Sequence, residues 1–200
     1  MSAVRGANMR PNPAGDWPRA DSTAYVAPTA LIVGHVEVGP RVFVGPNAVI
    51  RADEVGPDGR VAPVVLEAEC NVQDGVIIHA LAGTGVTVGR RASLSHGCIV
   101  HGPCALGGGC FIGFGAVVFR ACVVTGAFIG ARAVVQGVDL PDEIHVPPLC
   151  AVSAEGVSAL RKITPEERQF MEAVALANLR LVAGYLKLTS SEGAIDGREA

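Results

Sequence analysis

The sequence predicts an all-β solenoid, a parallel β-helix of hexapeptide repeats with one C-terminal α-helix packed alongside. Three observations predict it. Branched aliphatic residues recur every six positions, small residues recur two positions before them, and a helical pattern begins only at Thr164. Val26, Ile32, Val38, Val44 and Ile50 set the phase. It resumes at Leu66, Val72 and Ile78, and again at Val88, Leu94, Val100, Leu106, Ile112 and Val118. One five-residue step then leads to Val123, Ile129 and Val135. A half-buried strand alternates with period two and a helix repeats at 3.6, so a period of six fits neither alone. It fits a coil in which each hexapeptide forms one short side. Three sides close a turn of about 18 residues, and turns stack about 4.8 Å apart. Seventeen such units predict between five and six turns.

The small position explains most of the cysteines. Cys70, Cys98, Cys104 and Cys110 alternate there with Ala30, Ala48, Ala92 and Ala116, and a thiol in that place acts as a compact hydrophobe. Cys122 and Cys150 fall outside the pattern, and no CxxC pair occurs. That usage suits a reducing compartment better than a disulfide framework.

The chain has 200 residues, enough for one domain with a substantial core. Its net charge of −3, without a basic cluster, argues against nucleic acid as a partner. No apolar run approaches the roughly 18 residues of a membrane span, and the first residues lack the apolar core of a secretion signal. The expected location is cytoplasmic. The expected organisation is a mobile segment over 1–21, the solenoid over 22–150, a helical segment over 151–188 and a mobile tail over 189–200.

In the helical segment Thr164 reads as N-cap, Pro165 as the first turn and Glu167 as the partner in a capping box. Phe170, Val174, Ala177, Leu181 and Tyr185 form an apolar stripe expected to face the solenoid. Asn178 is the polar exception on that stripe. A buried asparagine satisfied by backbone accounts for it as readily as a functional role.

Two interruptions break the repeat, ten extra residues between Ile50 and Leu66 and four between Ile78 and Val88. Loops thrown from a rigid scaffold commonly carry function, and both lie near the histidines. Arg51, His79 and His101 each follow the aliphatic of the same side, one turn apart, so they form a column. Asp74 and His96 form a second column, with Gln73 and Ser95 beside it. His79 and His101 can grip one ion together. His96 lies five residues from His101 along an extended chain, a contour of roughly 16 Å, against a zinc–nitrogen bond of about 2.1 Å. A neighbouring subunit that supplies its own His96 resolves the conflict, and a closed ring of three suits a triangular prism. Three neutral imidazoles with an open fourth position make a catalytic site, where bound water ionises near neutral pH and hydroxide attacks a small electrophile such as carbon dioxide. A lone outward histidine is otherwise a solvated or interface residue, or the base of an acyltransferase. His35 and His145 lie outside the columns and read as surface residues.

The stretches "IRADE", "NVQDGVIIHA", "SLSHGCIVHGP", "FIGFGAVVF" and "ANLRLVAGY" resemble the gamma-class carbonic anhydrases in order and spacing. The likeness spans about residues 22–188. It extends to the archaeal-type branch and to the N-terminal domain of the carboxysomal scaffold protein. It implies a left-handed hand for the β-helix, a homotrimer, and reversible hydration of CO2 to bicarbonate with Zn2+, or with Fe2+ or Co2+, between subunits. It further implies His79, His96 and His101 as ligands, Gln73 orienting the metal-bound hydroxide with Asn71 supporting it, and Glu54 assisting proton transfer. Arg51 and Asp53 would pair across the interface with Asp74 nearby, and Asn178 would reach bicarbonate or the water network. The archaeal enzyme carries a long acidic loop after its first ligand. Here "HALAGTGVTVG" is short and holds no carboxylate, which leaves a weakly active or inactive scaffold or bicarbonate-binding trimer, with carboxysome components as partners, as the alternative reading. A hexapeptide acyltransferase is less compatible, since it needs one catalytic histidine and a cofactor groove.

Overall fold

The computed structural model describes residues 8–196. They form a left-handed parallel β-helix of three faces, with the single long helix Pro165–Asp196 laid against one of them. One column of inward aliphatics traces each face. On the first face Met9, Ile32, Ile50, Ile78, Val100, Val118, Val135 and Val152 pair in unbroken parallel register, which makes seven turns. Ala20, Val38, Leu66, Val88, Leu106, Val123 and Leu140 form the second column. Val26, Val44, Val72, Leu94, Ile112, Ile129 and Val146 form the third. The core is thus a dry shaft of branched side chains, nearly all fully buried.

The solenoid is longer than its sequence pattern suggested. Strands Met9–Arg10 and Arg19–Ala20 build a first turn from residues expected to be mobile. At the other end Leu140, Val146 and Val152 keep the inward positions after a single five-residue step from Val135. The signal fades there because prolines and acidic residues crowd the corners in "VDLPDEIHVPP", while the inward phase is kept. The helix likewise runs to Asp196, past the expected boundary at 188. Residues 1–7 and 197–200, parts of the two segments expected to be mobile, lie outside the described residues.

The four repeat cysteines are buried, as the pattern expects; Cys122 is exposed and Cys150 half-buried. Burial pushes the thiols of Cys70 and Cys98 up to about 12 and that of Cys110 to about 11, so they are inert packing groups.

Each face presents a different outward column. On the third face it reads Tyr25, Phe43, Asn71, Ser93, Phe111, Phe128, His145. The helix covers this column in antiparallel sense. Phe170 meets Phe111 edge-on at 5.3 Å, and Tyr185 stacks on Tyr25 at 4.4 Å. Fifteen helical residues rise about 22 Å, between the roughly 19 Å of the four strand spacings from Tyr25 to Phe111 and the roughly 24 Å of the five to Phe128. Phe170 packs between those two rings, 5.3 Å from Phe111 and 6.4 Å from Phe128.

The buried helix face is Met171, Ala175, Asn178 and Val182, one position off the expected stripe. Phe170, Leu181 and Tyr185 sit on its flank and stay partly exposed. The physical reason is polar: Gln73, at the edge of the covered column, donates to Asn178 Oδ1 at 2.7 Å and turns that side of the helix inward.

The capping box forms as expected. Thr164 N–H donates to Glu167 at 2.8 Å, and Glu167 N–H donates to the Thr164 hydroxyl at 3.2 Å. Glu167 also accepts two bonds from Arg161, at 2.6 and 2.8 Å. His145 is no surface residue: it is buried, stacked on Phe128 at 5.2 Å, with Nδ1 2.8 Å from the Glu167 carboxylate. Its burial was invisible in the sequence because the helix that covers it follows twenty residues later.

Hydrogen bonding from Arg161 holds the Glu167 carboxyl down at about 2. A depressed carboxylate stabilises the fold above its unfolded value of about 4.3, and that contribution is lost as pH falls toward 2. Glu167→Gln is therefore expected to lower stability by about 1 kcal/mol at pH 7. In urea unfolding followed by circular dichroism, the deficit should shrink steadily between pH 4 and pH 2.

Candidate metal centre

The residues that carry chemistry collect at the two edges of the first face. At one edge stand Arg51, His79 and His101, paired in register one turn apart. The imidazoles of His79 and His101 meet edge to face, and His79 Nδ1 lies 3.1 Å from His101 Nε2. Two nitrogens bound to one tetrahedral ion at about 2.1 Å would be about 3.4 Å apart, so the observed gap is close to that of shared ligands.

The outer nitrogens are already engaged. His79 Nε2 is 3.1 Å from Asp53 Oδ1, and His101 Nδ1 is 3.2 Å from the Gly102 carbonyl. Both partners are acceptors, so in the neutral rings they claim the N–H and leave two lone pairs facing each other. Facing lone pairs at this distance need a cation or a shared proton between them. The donor set therefore fits a metal ion such as zinc.

The first loop brings the carboxylates. Within the chain Arg51 donates to Asp53 at 2.9 and 3.3 Å. Glu54 places Oε1 3.6 Å from His79 Nε2, and its other oxygen accepts the Ala82 N–H at 2.9 Å. That bond ties the first loop to the second. The two loops touch where a Cβ on Gly56 would lie 3.0 Å from the Gly83 Cα, so glycine permits the contact.

The opposite edge carries His96, Asp74, Gln73, Asn71 and Asn178. Asn71 is buried on the helix-covered third face, and Gln73 follows at the corner. Gln73 Nε2 donates to Asn71 Oδ1 at 2.6 Å and to Asn178 Oδ1 at 2.7 Å. Both of its amide hydrogens are spent, which fixes the side chain and leaves its carbonyl oxygen as the acceptor open to a ligand. Asn178 in turn donates to the Val174 carbonyl at 2.9 Å. It is satisfied by backbone and joined to Gln73. Within the chain Asp74 stands beside His96, 3.4 Å from Nδ1.

The width of the face thus divides the site residues into two halves. Among the described residues, no group of three His, Cys, Asp or Glu can hold a metal ion within one chain. The His96 side chain is 52% exposed against 15% for His79.

Two features went unread in the sequence. Phe114 stacks on His96 at 5.7 Å, and Phe119 meets His101 edge-on at 5.2 Å, each one turn beyond its histidine. The outward column between the two halves is also apolar throughout: Leu31, Val49, Ile77, Ile99, Val117, Val134. An aliphatic directly before the inward aliphatic in six consecutive turns of this face is the signal that could have found it. The second face instead shows Glu37, Val65, Thr87, Ala105 and Cys122.

No protein-family model matches the sequence. The carbonic anhydrase of Methanosarcina thermophila is 32% identical over 206 residues, covering 89% of this chain and 81% of that protein. The carboxysome assembly protein CcmM of a Nostoc species is 32% identical over 207 residues, covering 95% of this chain. This chain spans 36% of that relative's length. Among solved structures, a hexapeptide transferase family protein from Anaplasma phagocytophilum superposes with a TM-score of 0.73 at 26% identity, over 88% of this chain and 97% of that one. With that overlap in sequence, register and fold, the chain belongs to the gamma-class carbonic anhydrase family.

Proposed function

We propose that the protein catalyses the reversible hydration of CO2 to bicarbonate at metal sites between the subunits of a homotrimer. The observation that carries this reading is the pair of facing imidazole nitrogens, 3.1 Å apart, whose outer nitrogens are held by Asp53 and the Gly102 carbonyl.

His79 and His101 of one subunit and His96 of its neighbour would hold zinc, with iron(II) or cobalt(II) as substitutes. Such an ion supplies Lewis acidity, making water nucleophilic near neutral pH. The apolar column from Leu31 to Val134 supports the trimer. It lies between the half-sites, so the contact that buries it also brings the His96 edge of one chain toward the His79 edge of another. A heterologous contact that closes after three steps uses every half-site.

The chain's own residues divide the remaining tasks. Gln73, with both amide hydrogens committed, accepts a hydrogen bond from the attacking oxygen and aims its lone pair at the carbon of CO2. Asn71 and Asn178 hold Gln73 in that orientation. Glu54, beside His79 and partly exposed, takes the proton released by the attacking water and passes it to solvent. Asp53 fixes the His79 ring, and Arg51 in turn holds the Asp53 carboxylate in place through two hydrogen bonds. Cytoplasmic residence fits the free thiols, and no described helix is long and apolar enough to cross a membrane.

One feature favours a second reading. The second loop, residues 80–85, brings no carboxylate to the site, so Glu54 stands without a relay partner from that loop. A slow enzyme, or a bicarbonate-binding scaffold of the carboxysome type, follows if Glu54 alone does not export protons fast enough.

Stopped-flow CO2 hydration on anaerobically purified, metal-loaded protein decides between them. We expect turnover that His101→Ala abolishes together with the metal. Inactive protein with verified metal content would reject the enzyme and favour the scaffold. Gln73→Leu is expected to retain metal yet lose about 100-fold in kcat, the usual cost of removing one preorganised polar contact to the reacting atoms. Unchanged kcat would remove Gln73 from the mechanism.

A further inference from the structure

The three imidazoles are not held equally. His79 is fixed by Asp53 and by its register partner, and His101 by the Gly102 carbonyl and the edge of Phe119. His96 sits in an exposed corner, and among the described residues no hydrogen bond fixes its ring. Its contacts are Asp74 on one side and Phe114 on the other.

These three residues occupy one corner column. Gly97 N–H donates to the Asp74 carbonyl and Gly115 N–H to the His96 carbonyl, at 3.0 and 3.1 Å, which fixes Asp74, His96 and Phe114 one turn apart. The rings of His96 and Phe114 are nearly parallel, 12° apart in plane with centroids 5.7 Å apart. That is the offset stack aromatic pairs favour. Asp74, 3.4 Å from Nδ1, favours the tautomer protonated there and leaves Nε2 as the open donor atom. Phe114 itself is 55% exposed, a poor place for a large apolar ring unless it serves another group.

We infer that Phe114 is a positioning residue for the metal: it locks the plane of His96 so that Nε2 is presented to the neighbouring subunit before any ion arrives. The inference rests on the proposed intersubunit site. Without the stack, the ring of a corner histidine turns freely about its side-chain torsions, and each ligation event must first select one orientation. The aromatic plane, rather than apolar bulk, is what the geometry uses.

The test measures cobalt(II) affinity by chelator competition on metal-stripped protein, beside sedimentation velocity to monitor assembly. Wild type and Phe114→Tyr should bind one cobalt per chain with equal affinity. Phe114→Ala and Phe114→Leu should bind about tenfold more weakly, the lower bound for losing an outer partner of a ligand, with the assembly unchanged. Equal affinity in Phe114→Ala, full affinity in Phe114→Leu, or weakening that merely follows dissociation of the assembly would each overturn the inference. His96→Ala separates this outcome from failure of the site itself. If wild type binds no cobalt, or binds it as well without His96, the intersubunit site is wrong and the inference falls with it.

Discussion

Parallel strands stacked in register, one residue above its counterpart about 4.8 Å away, are the constraint on which the whole molecule depends. Because each turn repeats the last, a residue type placed at one position of a hexapeptide becomes a column along a face. Inward columns of valine, isoleucine and leucine make the shaft. Outward columns decide what each face meets. The same rule sets His79 over His101 and Phe114 beyond His96. A one-residue slip in either interrupting loop would exchange inward and outward side chains from that turn onward, and the histidine pair would vanish with the core.

Three faces then have three fates. Aromatic residues at both ends of the third face, with Asn71 and Ser93 between them, match a helix that carries Phe170, Asn178 and Tyr185 at the same spacing. The apolar column of the first face has no cover among the described residues, and half-sites line both its edges. The second face, apart from Val65, is polar or small and suits water. In this arrangement the helix does more than close the fold. Through Asn178 and Gln73 it reaches one of the half-sites, so docking of the helix and orientation of a candidate catalytic amide are one event.

Much of this was legible in the residues, and the gaps have physical causes. The period of six located the core from Val26 to Val135, and the spacing of the histidines located their columns. The first and last turns were missed because Arg, Pro and Asp at corners obscure a repeat whose inward residues, such as Met9 and Leu140, still obey it. The helix stripe was displaced by one position because apolarity alone cannot foresee that Asn178 would be drawn onto Gln73. His145 was misread because burial by a distant helix leaves no local pattern. Phe114 and Phe119 were hidden in plain view: their partners lie one turn back, and only the stacking of turns reveals them. The site was legible as two half-sites, since no sequence pattern within one chain could bring His96 to His101.

The central claim is that these half-sites meet between chains, and subunit mixing tests it most directly. His96→Ala and His101→Ala each spoil a different half. Either variant alone should bind no metal. Refolded together in equal amounts, an intersubunit site predicts that metal binding returns at about a quarter of the wild-type stoichiometry, because a heterologous contact joins two intact halves in one interface of four. No recovery from a mixed assembly, with both chains shown to be present in it, would contradict the account.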